Sequence, residues 1–275
     1  MSFVVLPKNI EDAVRFLADN PEARPLSGGA SLVAMKNAGL IEASHFVSLA
    51  RIEGLNGISV DEGGLRIGGM TRHRDIAASA HLTGDLAMIA QAAGQIANRV
   101  VRNMGTIGGA VGNADPAADY LPVLTCADAD VEIYGADGPR RVSIEDYLID
   151  WYETALEPGE IVTAIHLPHP KEARSNYHKL ARTPGDYATA SVACAIDGAR
   201  VRVAVGACGP KPIRSAEAEA ALEGQIADPA AIRIFADSLA ALADPIDDVR
   251  GSSDYRLRLI PRMVTAAINE LRGAH

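Results

Sequence analysis

Aromatic side chains make up only 4% of this 275-residue chain, so aliphatic side chains must fill most of its core. Cysteine is also rare, and Cys126, Cys194 and Cys208 include no C-x-x-C pair. This spacing excludes a disulfide framework and a four-thiolate cluster within the chain, and it predicts three buried thiols. No metal site is expected either, because His166 and His169 lie three residues apart on extended backbone and point in different directions.

Positive charge is also in deficit, with 26 Lys and Arg against 35 Asp and Glu and a net charge of −9. The chain therefore lacks the basic surface that nucleic-acid binding requires. No run approaches the roughly 18 apolar residues of a transmembrane segment, and no cationic leader opens the chain, so we expect a cytoplasmic protein. If the ligand is anionic, backbone N–H groups and a few local cations must hold it.

The first part of the chain has the pattern of a mixed α and β domain. Asn9 is a helix N-cap before an amphipathic helix, and the other elements expected are strands at 24–26, 46–49 and 161–167, hairpins at 58–67 and 131–142, and one helix over 86–101. Residues 105–112 are too rich in glycine for a core helix. Asp115 is expected to cap a helix that has Pro116 in its first turn.

A polar segment at 168–175 is the expected domain boundary. Beyond it, residues 192–205 form a hairpin around Asp197-Gly198, whose sequence fits a type I′ turn; one face is buried and Arg200 and Arg202 are exposed on the other. Three helices follow, the last broken or kinked at Pro261.

Two glycine-rich loops are the leading functional candidates. Ser27 to Ser31 follows a strand, and Thr106 to Gly109 follows a helix. Neither matches the dinucleotide-binding G-x-G-x-x-G pattern or the P-loop. Glycine N–H groups can nevertheless approach a pyrophosphate closely, so each loop is either a simple turn or part of an anion site. Taken singly, Lys179 and Tyr187 indicate no function, and residues 72–74 are expected to be a solvated loop.

Five ordered segments together resemble the FAD-binding medium subunit of the molybdenum hydroxylases, the carbon monoxide dehydrogenase and xanthine dehydrogenase family. The segments are PLSGGASL at 25–32, RNMGTIGG at 102–109, DPAAD at 115–119, LEPGEI at 156–161, and KLAR with GDYA at 179–182 and 185–188. The resemblance runs nearly end to end. Relatives usually have Gln or His at the position of Ala30 and Asn at that of Ala110, so two side-chain hydrogen bonds to the cofactor would be missing here.

The resemblance implies an α+β fold with two domains. Residues 1–170 would form a two-part FAD-binding domain of the vanillyl-alcohol-oxidase (PCMH) type, with a small α/β part at 1–55 and a larger α+β part at 56–170. Residues 171–275 would form a carbon monoxide dehydrogenase flavoprotein C-terminal-like domain with a three-stranded sheet and a helix bundle.

The resemblance also implies which residues bind the cofactor. Both glycine loops would grip the FAD pyrophosphate, Asp119 would contact the polar tail, and Lys179 and Tyr187 would approach the isoalloxazine, where Lys179 would tune the flavin. The complete implied set is Leu26, Ser27, Gly28, Gly29, Ala30, Ser31, Leu32, Thr106, Gly108, Gly109, Asp115, Asp119, Ile161, Val162, Lys179 and Tyr187.

The implied function is electron transfer within a heterotrimer, which would assemble as a dimer of heterotrimers. A large molybdopterin-binding subunit would oxidise the substrate, and a small subunit with two [2Fe-2S] clusters would pass electrons to this FAD and on to an external acceptor. Two alternatives remain at this point: a stand-alone FAD-dependent reductase with the same flavin fold, and a flavin-free assembly subunit. The sequence identifies neither the substrate nor the acceptor.

Overall fold

A computed structural model describes residues 3–273. The chain begins with a small parallel sheet of order β1-β3-β2. Its elements are β1 (Phe3–Val5), α1 (Ile10–Asp19), β2 (Arg24–Leu26), α2 (Leu32–Asn37) and β3 (His45–Ser48). As predicted, Asn9 caps α1: its side chain accepts the Asp12 N–H at 2.8 Å. The helix buries Ala13, Val14 and Leu17 in a small core that this part of the chain shares with Ile161.

The second part is built on a five-stranded antiparallel sheet of order β4-β5-β10-β6-β7. Its strands are β4 (Ile58–Asp61), β5 (Gly64–Gly68), β6 (Asp130–Gly135), β7 (Gly138–Ser143) and β10 (Ile161–Leu167), and β8 (Leu148–Asp150) pairs separately with β9 (Glu153–Thr154). The helices are α3 (His73–Ala77), α4 (Ala87–Gln95), α5 (Arg99–Met104), α6 (Ile107–Asn113), α7 (Tyr120–Cys126) and α8 (Ile144–Tyr147). Both predicted hairpins and the strand at 161–167 are confirmed.

The third part carries an antiparallel sheet of order β11-β12-β13. Its elements are β11 (Arg174–Leu180), β12 (Ala190–Asp197), β13 (Arg200–Gly206), α9 (Ala216–Leu222), α10 (Pro229–Ala241) and α11 (Ser253–Gly273). The hairpin is confirmed, but the predicted type I′ turn centred on Asp197-Gly198 is wrong. Asp197 pairs with Arg200, so Gly198 and Ala199 form the loop, and of these two only Gly198 has a positive φ, +61°. Of the expected break or kink at Pro261, the break is wrong, because α11 continues through this residue.

The sheet of the third part is buried on both faces. Side chains alternate along each strand, so successive residues face two different cores. Val192, Cys194 and Ile196 of β12 face a core shared with α10 and α11. Ala193 and Ala195 face the core of the second part. The prediction that Arg202 is exposed is therefore wrong: its side chain is only 16% exposed and bonds Asp85, which is fully buried, at 2.7 Å.

The predicted helix over 86–101 is interrupted at residues 96–98. Ala97 adopts a left-handed φ of +41°, and α5 begins after Asn98, whose side chain caps it. The guanidinium of Arg102 donates to the carbonyl oxygens of Ile96 and Ala97 at 2.7 and 2.9 Å. These bonds satisfy carbonyls that would otherwise have helical partners, so the break is stabilised by a side chain downstream.

Two further local expectations are also wrong. Residues 107–113 form the helix α6 despite three glycines, because tertiary contacts described below override their low helix propensity. Asp115 does not cap a helix: its side chain accepts the Ala117 N–H at 2.9 Å and closes a turn, and α7 starts only at Tyr120.

The three cysteines are fully buried, as predicted. Burial raises the pKa of Cys126 and of Cys208 to about 12, and that of Cys194 well above its usual value. All three thiols therefore stay protonated and unreactive at neutral pH. No helix within residues 3–273 is long and apolar enough to cross a bilayer.

Candidate functional site

A cleft of about 380 Å³ opens where the three parts of the chain meet. Fourteen of the sixteen residues proposed from the sequence line it, and Leu26 and Lys179 do not. The fourteen come from five separate segments of the chain: Ser27, Gly28, Gly29, Ala30, Ser31, Leu32, Thr106, Gly108, Gly109, Asp115, Asp119, Ile161, Val162 and Tyr187. The fold thus gathers the two glycine loops and the later motifs around one space.

The first glycine loop presents a row of free amides to this cleft. It follows β2, turns at Gly29 with φ +74°, and enters α2. Within residues 3–273, the five consecutive backbone N–H groups of Gly28 to Leu32 have no protein acceptor. Successive unpaired amides next to a left-handed residue form a concave nest that binds anions. This loop has the geometry that a pyrophosphate requires.

The second glycine loop differs, because its amides are used within the protein. The Gly108 N–H donates to the Gly69 carbonyl at 2.8 Å, and the Ile107 N–H donates to Thr71 at 3.1 Å. The Gly109 N–H donates to the Thr106 hydroxyl at 3.2 Å. The expectation that both loops offer free N–H groups is therefore wrong for the second loop.

Glycine is needed in both loops because they pack backbone against backbone. A Cβ atom on Gly28 would lie 1.9 Å from the Met104 carbonyl oxygen. One on Gly108 would lie 2.7 Å from the Gly69 carbonyl oxygen. These are distances that real Cβ contacts do not reach. A side chain on Gly28 would push the first loop away from Met104 and Gly105, which directly precede the second loop, and one on Gly108 would push the second loop away from Gly69.

Asp119 lies at the floor of the cleft with two buried partners. Its Oδ1 accepts from the Tyr177 hydroxyl at 2.7 Å and from Lys179 Nζ at 2.9 Å, and its Oδ2 lies 3.0 Å from the same ammonium. Burial raises the pKa of Asp119, while Lys179 and Tyr177 lower it and so oppose that effect. The carboxylate keeps a free lone pair on Oδ2 with which to accept a hydrogen bond from a ligand hydroxyl.

Lys179 is therefore placed differently from the sequence-based expectation. Its side chain is only 4% exposed and its ammonium is engaged by Asp119, so it stands behind that carboxylate and not on the cleft wall. Its charge is neutralised by the ion pair. Leu26 likewise does not line the cleft, and its backbone carbonyl accepts the Leu49 N–H.

Tyr187 closes the mouth of the cleft. The residue is 39% exposed and Arg250 lies over its ring at 5.1 Å. Burial raises the pKa of Tyr187, and nearby Ser31 of the first loop opposes this effect. Ile161 and Val162 of β10 contribute buried apolar side chains to the wall. The mouth therefore combines an aromatic face from the third part of the chain with a polar loop from the first.

The sequence analysis missed His73, which was expected in a solvated loop. The side chain is 5% exposed and lines the cleft, and its Nδ1 lies 3.1 Å from the Tyr120 hydroxyl. Burial, assisted by the charge of Arg102, lowers the pKa of His73 to about 4. The imidazole is therefore neutral at pH 7. No signal in the sequence distinguishes this histidine from an exposed one.

The walls of the cleft carry little positive charge. Among the described lining residues, Arg24 is the cation, against Asp115, Asp119, Glu160 and Asp186. The Glu160 carboxylate is held by Arg140 at 2.8 and 2.6 Å, and this pairing lowers the pKa of Glu160. An anionic ligand must therefore be held here mainly by neutral donors.

Comparison with protein families decides what this cleft belongs to. The FAD-binding domain of molybdopterin dehydrogenases matches residues 1–170, and the CO dehydrogenase flavoprotein C-terminal domain matches residues 175–271. The chain belongs to the FAD-binding medium subunits of the molybdenum hydroxylase family.

Individual medium subunits are similar over almost their whole length. The glyceraldehyde dehydrogenase medium chain of Sulfolobus acidocaldarius is 33% identical over 272 residues, 97% of either chain. The carbon monoxide dehydrogenase medium chain of Afipia carboxidovorans is 35% identical over 274 residues, 97% of this chain and 95% of that one. The carbon monoxide dehydrogenase structure from Hydrogenophaga pseudoflava superposes with a TM-score of 0.94 at 32% identity, covering 98% of this chain and 97% of that chain.

The cleft of this medium subunit fits the FAD of its family. A dinucleotide carries a doubly charged pyrophosphate, for which the row of free amides supplies donors, and a ribityl chain whose hydroxyls can donate to Asp119. Apolar and aromatic groups at Ile161, Val162 and Tyr187 suit a flat ring system.

Proposed function

We propose that this medium subunit carries FAD as the electron-transfer component of a heterotrimeric molybdenum hydroxylase. It takes electrons from [2Fe-2S] clusters on a small partner subunit, while a large partner with the molybdopterin cofactor oxidises the substrate, and it passes them to an external acceptor. The observation that carries the proposal is the row of free amides from Gly28 to Leu32 in a cleft with few cations. A soluble, cytoplasmic dimer of such heterotrimers is the assembly proposed.

The residues of this chain have defined tasks in the proposal. The Gly28 to Leu32 amides hold the pyrophosphate, and Asp119, oriented by Tyr177 and Lys179, accepts from a hydroxyl of the cofactor. Ile161, Val162 and Tyr187 shield the ring system from water. When bound, FAD supplies the redox chemistry by accepting electrons singly or in pairs, and the protein positions it.

Domain organisation follows the same proposal. Residues 1–170 correspond to a two-part flavin domain of the PCMH type, and residues 171–275 to the C-terminal domain. The small parallel sheet, the five-stranded sheet and the separate sheet β11-β12-β13 support this division. The names of the relatives also support a multi-subunit assembly, since they are called medium chains or subunits.

Expression of the chain together with its neighbouring reading frames tests the proposed function. We expect an assembly with two further subunits that contains one FAD per copy of this chain, as well as iron and molybdenum. FAD with no iron or molybdenum would favour a stand-alone reductase. An assembly containing iron and molybdenum, with no flavin absorbance after FAD is supplied, would favour the flavin-free subunit. Either result would overturn the proposal.

A further inference from the structure

His73 presents an unpaired ring nitrogen to the cofactor cleft. Its Nδ1 is engaged by Tyr120 at 3.1 Å, whereas Nε2 has no protein partner among the described residues. Nε2 is not one of the fully buried polar atoms that lack a hydrogen-bond partner, so it keeps some accessible surface. The ring lines the cleft, and this surface gives Nε2 access to it. Since the residue is 95% buried, this nitrogen is oriented by the fold and not by solvent.

Tyr120 decides which nitrogen carries the proton. Its side chain is fully buried, its pKa is raised well above its usual value by burial and by Asp119, and its one hydrogen-bond partner in residues 3–273 is His73 Nδ1. A buried O–H without an acceptor is costly, so the phenol must donate to Nδ1. The neutral imidazole therefore carries its hydrogen on Nε2.

The Nε2 atom lies next to the place where the two glycine loops meet. A Cβ atom on Gly105 would be 2.4 Å from His73 Nε2, and a Cβ atom on Gly28 would be 2.9 Å from Gly105 Cα. Gly105 therefore lies between the His73 imidazole and Gly28, the first residue of the row of free amides. The His73 backbone N–H also bonds the Gly105 carbonyl at 3.1 Å, which fixes the ring against the second loop.

We propose that His73 is a cofactor-binding residue whose neutral Nε2–H donates to a phosphate oxygen of the bound dinucleotide, in the tautomer set by Tyr120. The inference rests on the proposed function. Glycine at position 105 makes room for the imidazole, because a Cβ atom there would lie 2.4 Å from Nε2. Because Tyr120 already occupies Nδ1, the imidazole is held in one orientation before the cofactor binds. The side chain therefore loses less conformational entropy when the cofactor binds.

Two substitutions at His73 test the contact. The full chain is purified with its partner subunits, FAD is removed, and the Kd for FAD is measured by flavin fluorescence. We expect His73→Leu to weaken FAD binding about 10- to 100-fold, the loss typical of one hydrogen bond to a charged group. His73→Gln, whose side-chain N–H₂ can reach the Nε2 position, should stay within about threefold of wild type, since the donor is restored.

A structural role alone would give a different pattern. If His73 only fills space, Leu should bind FAD as well as Gln, and this result would overturn the proposal. Long-range ¹H–¹⁵N correlation spectra of histidine-labelled protein supply an independent readout: we expect the Nε2–H tautomer without FAD and a shift of the Nε2 resonance with FAD. The Nδ1–H tautomer would also overturn it. A wild-type complex without FAD would instead contradict the proposed function.

Discussion

At the residue scale, Asp119 shows how a buried charge is kept available in a low-dielectric site. Burial disfavours its charged form and raises its pKa, whereas the ammonium of Lys179 and the hydroxyl of Tyr177 favour that form. Both partners are themselves buried, so the three groups act as a unit. The unit explains why Lys179 belongs to the site although it does not line the cleft.

Removal of the Lys179 ammonium should therefore lower the stability of the folded protein. We expect Lys179→Met to lower the free energy of unfolding by about 3–5 kcal/mol, because it leaves the carboxylate of Asp119 buried without its counter-ion. Urea unfolding measures the change. Addition of Asp119→Asn to the same protein should recover part of the loss, since the unpaired charge is gone. Equal stability of wild type and Lys179→Met would contradict the buried pair.

His73 predicts a pH dependence of stability with a definite sign. Its pKa is about 4 in the folded protein and 6.5 when unfolded, so between these values the unfolded chain binds a proton that the folded chain does not. Stability must then fall as the pH falls from 6.5 to 4, by about 3 kcal/mol in total. His73→Gln should flatten this part of the profile when urea midpoints are compared at each pH. Parallel profiles would show that His73 titrates normally.

At the scale of elements, two similar-looking glycine loops have different tasks. The first loop leaves its amides unpaired, while the second uses its amides on Gly69, Thr71 and Thr106. The glycines of the second loop permit close packing, and their low helix propensity is overcome by that packing in α6. A substitution at Gly108 would therefore disturb the packing of the second loop on Gly69 as well as any ligand.

A proline can remove one free amide without removing any protein hydrogen bond. Ala30 follows Gly29 at the turn into α2, and its N–H has no acceptor within residues 3–273. We expect Ala30→Pro to raise the Kd for FAD about tenfold, because one charge-assisted hydrogen bond to phosphate is lost.

The matched control for this change is Ala216→Pro. Ala216 is the first residue of α9, far from the cleft lining, and its N-cap Ser215 has the extended backbone that precedes proline readily. This variant should bind FAD like wild type. The unfolding midpoint of Ala216→Pro should remain close to wild type; unchanged FAD affinity in a folded Ala30→Pro protein would argue against the free-amide site.

At the scale of the whole molecule, the sheet β11-β12-β13 joins the parts of the chain. One face packs on the core of the second part, and the other packs on α10 and α11. Arg202 crosses this junction to Asp85, which also accepts the Lys171 N–H at 2.8 Å. Because the cofactor cleft has walls from all three parts, this junction also maintains the shape of the site.

The junction predicts unequal effects for two arginines on one strand. Arg202→Met should lower the free energy of unfolding by about 3–5 kcal/mol, because it leaves the fully buried Asp85 without its cation. Arg200 bonds Glu223 at an exposed position, so Arg200→Met should cost only about 0–1 kcal/mol. Urea unfolding compares them, and limited proteolysis should cut Arg202→Met faster near residues 168–173. Similar losses in both variants would refute the role of the junction.

The sequence by itself determined the elements whose signals are local. The cap at Asn9 and the alternating strands of the hairpins specify nearby backbone through capping and side-chain period, and they are confirmed. The hairpin near Asp197-Gly198 is also confirmed, but its turn is centred on Gly198 and Ala199 and is not of the predicted type I′. The five ordered motifs likewise indicated the family.

Tertiary structure alone decided which backbone amides and polar side chains of the site are available to a ligand. The Gly108 amide is occupied by the carbonyl of Gly69, Lys179 is turned toward Asp119, and His73 becomes a buried neutral donor through Tyr120. Each outcome depends on a contact between residues distant in sequence. Burial and pairing set the charge and hydrogen-bonding state of a polar group, and neither is encoded in its neighbours along the chain.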